Sequence, residues 1–238
     1  MGVLRWLRNI ALCLLCAGAL GAGWLTLKGW DLYQQVLDEK PLEQRVEEVR
    51  SQEGFTPFET LPQTYVDAVV AVEDQRFFSH GGVDFLALGR ALLNDLRTLS
   101  FQEGGSTITQ QVAKNLCLGQ EKSLERKVAE VFLAWDLEGK YSKEEIFELY
   151  GNAIYFGSGC YCVADASETY FGVEPQDMTP SQCTLLAGIP NAPSVYDLNE
   201  NPDLAAQRQR QVVERMVEEE YLSAGEAAAL VGAEEEGT

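Results

Sequence analysis

The sequence is poor in the residues that most often hold metals and nucleic acids. His80 is the only histidine in 238 residues, and Cys160-x-Cys162 is a weak ligand pair by itself, so no zinc pattern is present. Lys and Arg total 18 against 37 Asp and Glu, a net charge of −19. Phosphate backbones are held by clustered cations, so this balance argues against nucleic acid as a partner. Any anionic ligand must meet a local basic cluster. There is no alternating period-two run of useful length, no internal repeat and no low-complexity linker, which leaves a mostly α-helical reading. With 46% hydrophobic composition the chain can bury one sizeable core, and its length leaves little room for a second domain. Much of the acidic excess falls in 214–236, where EEE occurs twice, and such a run reads as a solvated face.

What is present begins with Ile10–Leu27, 18 residues without a charge, preceded by Arg5 and Arg8 and followed by Lys28, Trp30 and Asp31. Such a run is long enough to span a bilayer core of about 30 Å. The two arginines set residues 1–9 in the cytoplasm, and Trp24 and Trp30 suit the far interface. The reading is a single-pass anchor over 10–30 in the cytoplasmic membrane, with everything after it on the extracytoplasmic side. A cleaved signal peptide is the rival, because Ala17-Gly18-Ala19 offers small residues after an apolar stretch. Of six cysteines, Cys13 and Cys16 lie in the span. Cys117, Cys160, Cys162 and Cys183 lie beyond it, where disulfides and small buried thiols are both open readings.

Residues 31–54 carry scattered apolar side chains broken by Pro41 and read as a juxtamembrane stalk. The main domain is expected over 55–222, with an acidic tail over 223–238. Ser142 with Glu145 predicts a capping box, and Thr179-Pro180 and Asn201-Pro202 put proline at a first helical position.

Val66, Val69 and Val70 occupy i, i+3 and i+4 of one stripe, whose next member, i+7, is Glu73. A carboxylate on an apolar stripe has its charged form disfavoured, which raises its pKa toward the range of a general base near neutral pH. The alternative is a glutamate paired with Arg76. Further on, Gly104-Gly105 leads into a helix that Ser106 is expected to cap. On it Thr107, Gln110, Gln111 and Lys114 form a polar face suited to sugar hydroxyls and phosphate oxygens, and the helix N-terminus favours anions. The alternative is an ordinary solvated face. Lys114, Lys122, Arg126 and Lys127 then place four cations within 14 residues of an otherwise acidic chain. Glu130 follows on a helix with apolar residues on several sides; an Arg126–Glu130 pair along the helix is its plain structural reading.

Together these segments resemble the glycosyltransferase family that forms the glycan-polymerising module of penicillin-binding proteins, and which also exists as stand-alone enzymes. The resemblance rests on four motifs in order. The first runs from Glu73-Asp74-Gln75-Arg76-Phe77-Phe78-Ser79-His80-Gly81-Gly82 to Val83-Asp84. The second is Gly105-Ser106-Thr107-Ile108-Thr109-Gln110-Gln111 with Lys114-Asn115. The third is Arg126-Lys127-Val128-Ala129-Glu130, and the fourth runs from Lys143-Glu144-Glu145-Ile146 to Tyr150-Gly151-Asn152. Two departures stand out: Lys122 replaces a frequent arginine, and Arg208 is followed by Gln209 rather than by a second arginine.

The resemblance implies a lysozyme-like helical domain with a small membrane-proximal lobe that dips into lipid. It implies polymerisation of lipid II onto a growing lipid-linked glycan chain, with inversion and release of undecaprenyl pyrophosphate. Glu73 would be the base, and Glu130 would order the cations or a divalent ion, Mg or Mn, on the leaving group. Lys114, Lys122, Arg126 and Lys127 would hold the pyrophosphate. Asp74, Phe77, His80, Ser106, Thr107, Gln110, Gln111, Asn115 and Asn152 complete the expected substrate site. Partners would be the membrane and other cell-wall synthases. A lysozyme-like lytic transglycosylase and a non-catalytic membrane-tethered scaffold are the competing readings.

Overall fold

The structure is a computed structural model that describes residues 2–90, 105–119 and 123–232. Helix α1 (Gly2–Glu39) runs unbroken for 38 residues. Its segment Arg5–Glu39 is long and apolar enough to cross a membrane. The first half stands clear of the other described residues: Gly18, Gly21 and Gly23 have open space around them. The second half docks on α5 (Leu124–Lys140). Gly29 makes the approach possible, since a Cβ there would collide with the Val128 side chain. One turn further, the Trp30 and Phe132 rings meet edge-on at 5.0 Å, and Tyr33 Oη donates to Asp136 Oδ2 at 2.6 Å.

The stalk expected over 31–54 is instead part of the folded body. Helix α2 (Leu42–Arg50) buries Leu42, Val46 and Val49 in the main core; spaced i, i+4 and i+7, they form one apolar stripe. From the same helix Arg45 donates to three carbonyls. Two belong to the end of α1 and the turn after it, Val36 O (3.1 Å) and Lys40 O (3.1 Å), and the third is Leu116 O (3.0 Å) near the end of α4 (Ile108–Cys117). A cation satisfying carbonyls at helix C-termini also meets the negative end of each dipole.

The core gathers α3 (Gln63–Glu73), α4, α5, α6 (Lys143–Ala153), α7 (Val163–Phe171), α8 (Pro180–Gly188) and α9 (Pro202–Glu218). Helices α3 and α9 both pack on α8, while α4 packs between α5 and α6. Tyr65, Phe77, Ile108, Leu133, Phe147 and Leu186 are fully enclosed, each burial contributing about 1.5–3 kcal/mol. Among the described residues there is no strand, as the absence of period-two runs predicts.

The expected caps form. Ser142 and Glu145 make a reciprocal capping box on α6, Thr179 and Gln182 make another on α8 with Pro180 in its first turn, and Pro202 opens α9. On α4 the cap is Thr107, not Ser106: Thr107 and Gln110 exchange hydrogen bonds as a capping box. The expected acidic tail begins as a helix, α10 (Ala224–Gly232), which packs against α9. No disulfide joins the six cysteines; Cys117, Cys160, Cys162 and Cys183 are buried thiols, and Cys162 caps α7 by accepting from Asp165 N–H.

Candidate active site

Glu73 closes α3, at the end of the stripe formed by the buried Val66, Val69 and Val70. Opposite it, α4 presents Gln111, whose Nε2 donates to Glu73 Oε2 at 2.6 Å. Burial pushes the Glu73 carboxyl above its ordinary range, and the neighbouring Asp74 adds to that. Gln111, Arg208 and Lys114 pull the other way. Arg76 is not its partner: that guanidinium is held by Asp84, with Nε donating to Oδ2 at 2.9 Å.

Lys114, one turn beyond Gln111 on α4, links Glu73 to the second carboxylate. Desolvation lowers its pKa, while the charges of Glu130 and Glu73 both favour its protonated form and Arg126 and Lys127 oppose it. Lys114 thus lies within electrostatic range of both carboxylates. Glu130 is 2% exposed and paired with Arg126 at 3.2 Å and Lys127 at 2.8 Å. Lys127 also donates to Ser106 Oγ at 2.6 Å, joining the third motif to the second, and Arg126 reaches Gly119 O at 3.1 Å. Asn115 is half-buried on α4. Lys122 lies outside the described residues.

Several residues expected at the substrate are committed to the fold. Thr107 Oγ1 donates to Gly82 O at 2.6 Å, Gln110 completes the cap, and both are buried. Asp74 accepts from Ile108 N–H at 3.1 Å and meets His80 Nε2 at 2.8 Å; these contacts fasten the first motif to the start of α4. Phe77 is buried among aromatic rings, 6.2 Å from Phe147, with Lys143 Nζ 4.4 Å above its face. Asn152 accepts from Thr56 N–H and donates to Thr56 O and Glu148 O, each at 2.8 Å, which leaves its amide little to offer a ligand. The missed residue is Arg208 on α9, discounted for its broken arginine pair. Its charge reaches both Glu73 and Tyr150.

A half-buried carboxylate held by an amide and a buried one paired with two cations suit proton abstraction beside a departing anion. The family pattern described as transglycosylase matches residues 38–217. The chain belongs to the transglycosylase family. The match begins before α2, in keeping with the packing of that helix into the core. A protein of Cupriavidus necator described as a transglycosylase is 42% identical over 172 residues, covering 72% of this chain and 74% of its own. Penicillin-binding protein 1A of Neisseria flavescens is 44% identical over 165 residues, 69% of this chain. Penicillin-binding protein 1F of Bacillus subtilis is 42% identical over 172 residues, 72% of this chain. The transglycosylase spans only 21% and 24% of those two larger proteins.

Proposed function

We propose that this transglycosylase is a membrane-anchored peptidoglycan glycosyltransferase that polymerises lipid II at the outer face of the cytoplasmic membrane. The observation that carries the reading is the pairing of Glu73 with Gln111 of α4 and of Glu130 with Arg126 and Lys127, where Lys127 also bonds Ser106 just before α4. In the step proposed, the 4-hydroxyl oxygen of one lipid II attacks the anomeric carbon at the lipid-linked end of the growing chain. The bond from that carbon to the pyrophosphate oxygen breaks, and its electron pair leaves with undecaprenyl pyrophosphate, with inversion. The hydroxyl proton passes to Glu73, whose raised pKa suits a base near neutral pH. Lys114, Arg126 and Lys127 stabilise the charge growing on the leaving oxygen, and fixed cations act most strongly where water is excluded.

Glu130 serves best as the residue that orders these cations. Its carboxylate already pairs with Arg126 and Lys127, so the donor set does not fit a resident Mg or Mn ion. The grouping with cation-ligand spacing among the described residues, Asp74, His80 and Asp84, lies away from Glu130 in the sequence and has Arg76 on Asp84. Anchoring by α1 agrees with its apolar length. A lipid-dipping lobe agrees with the exposed side chains of Phe78, Phe85, Leu86 and Leu88.

Incubating the full chain in detergent with lipid II tests the reading. Glycan polymer and undecaprenyl pyrophosphate should accumulate together. Shortening of preformed wall polymer, with no growth from lipid II, would replace it with the lytic alternative, and inactivity on both substrates would favour a scaffold.

A further inference from the structure

Among the described residues, three buried polar atoms on α3 and α6 have no partner: Glu73 Oε1, Tyr65 Oη and Tyr150 Oη. Tyr65 lies on α3 about two turns before Glu73, and Tyr150 lies on α6. Both rings lean on Phe147, with centroids 6.3 and 6.0 Å from it, and both residues are 1% exposed or less. A phenol donates one hydrogen, whereas an ionised carboxylate only accepts. Two donors without acceptors, both within range of the Glu73 charge, and an acceptor without a donor make a matched set, and buried groups of this kind are seldom left unpaired.

We propose that Tyr65 and Tyr150 are positioning residues for Glu73, their hydroxyls donating toward its inner oxygen Oε1 through one shared internal water, while Gln111 holds Oε2. The proposal rests on the reading of Glu73 as the base. Donors to a carboxylate favour its charged form, so the two phenols offset part of the burial that would otherwise keep the base protonated. The Glu73 charge in turn helps, after burial, to push both phenols above their ordinary range. The other groups that act on this cluster are Asp74 after α3, Gln111 and Lys114 on α4, Cys183 on α8 and Arg208 on α9. Of these, Arg208 and Lys114 favour the charged carboxylate and Asp74 opposes it.

The test is the pH profile of lipid II polymerisation by the full chain in detergent, for wild type, Tyr65→Phe and Tyr150→Phe. Removing a donor should move the acid limb to higher pH, by about 0.5–1 pH unit per hydroxyl, and should lower turnover most below that limb. A second readout needs no turnover: the pH dependence of thermal melting, taken as each protein minus its Glu73→Gln counterpart, isolates the same carboxyl and should move the same way. An unmoved limb in both phenylalanine variants, with melting temperatures equal to or above wild type, would mean that the hydroxyls are idle, and overturns the proposal while leaving the base in place. Glu73→Gln polymerising at the wild-type rate removes the base reading itself, and this proposal with it, by a different observation.

Discussion

Gln111 Nε2 lies 2.6 Å from Glu73 Oε2, so the amide of the second motif fixes the orientation of the carboxylate of the first. A hydrogen bond to a charged acceptor contributes about 1.5–3 kcal/mol, and it works against the burial that raises the Glu73 pKa. Gln111→Leu removes the donor at similar volume. Turnover at neutral pH should fall, with the acid limb of the rate profile moved upward and the fold intact by circular dichroism.

Glu73→Gln should lose polymerisation by roughly 10²–10⁴-fold, the range for general acid–base catalysis, without losing stability. A carboxyl whose native pKa is raised above its unfolded value costs stability as pH rises through that window, and the full cost is present above the native pKa. Melting of the variant should therefore exceed wild type near pH 8, with the gain vanishing below about pH 4, the ordinary glutamate range. Equal melting at both pH values would contradict the buried-charge account.

Lys114→Met keeps length and removes the ammonium. Because desolvation is the largest influence on this lysine, stability should stay within about 0.5 kcal/mol or rise. Turnover should fall about 10²–10³-fold, as when one transition-state donor is lost. Single-turnover rates beside melting curves separate the two effects.

Asn152→Ala should behave in the opposite way. It strands Thr56 N–H and C=O, both bonded to the Asn152 amide, and each buried group left unpaired costs about 1–3 kcal/mol. Denaturant melts should report that loss, with specific activity per folded molecule near wild type. A raised KM with unchanged stability would restore Asn152 to the substrate site.

Gly29→Val should push α1 away from Val128, with an overpacking cost of about 1–3 kcal/mol. Val128→Ala in the same chain should recover most of it, and a double-mutant cycle in detergent measures the coupling.

The parts legible in the sequence are the local ones. A capping box needs only residues i and i+3, so the starts of α6 and α8 could be read directly. The same rule separates Ser106 from Thr107: three residues after Thr107 stands Gln110, which returns the bond to the cap, whereas Ser106 is followed by Thr109, whose hydroxyl goes to Glu138. Glu73 was visible because it interrupts an apolar stripe on its own helix. The partners of Phe77 and Asn152 are not legible locally, because they lie 70 and 96 positions away, at Phe147 and Thr56. Helix α2 was missed because charged residues dilute a stripe of only three apolar side chains. Nothing local to Arg208 shows that packing α9 on α8 brings its charge near Glu73.

Arg45 ties the C-terminal end of α1 to the end of the helix that carries Gln111 and Lys114, and α1 has no break between its free half and its docked half. No hinge within α1 therefore separates its exposed half from the half that packs on α5. A change in the tilt of the exposed half would be passed on to α4, and with it to Gln111 and Lys114.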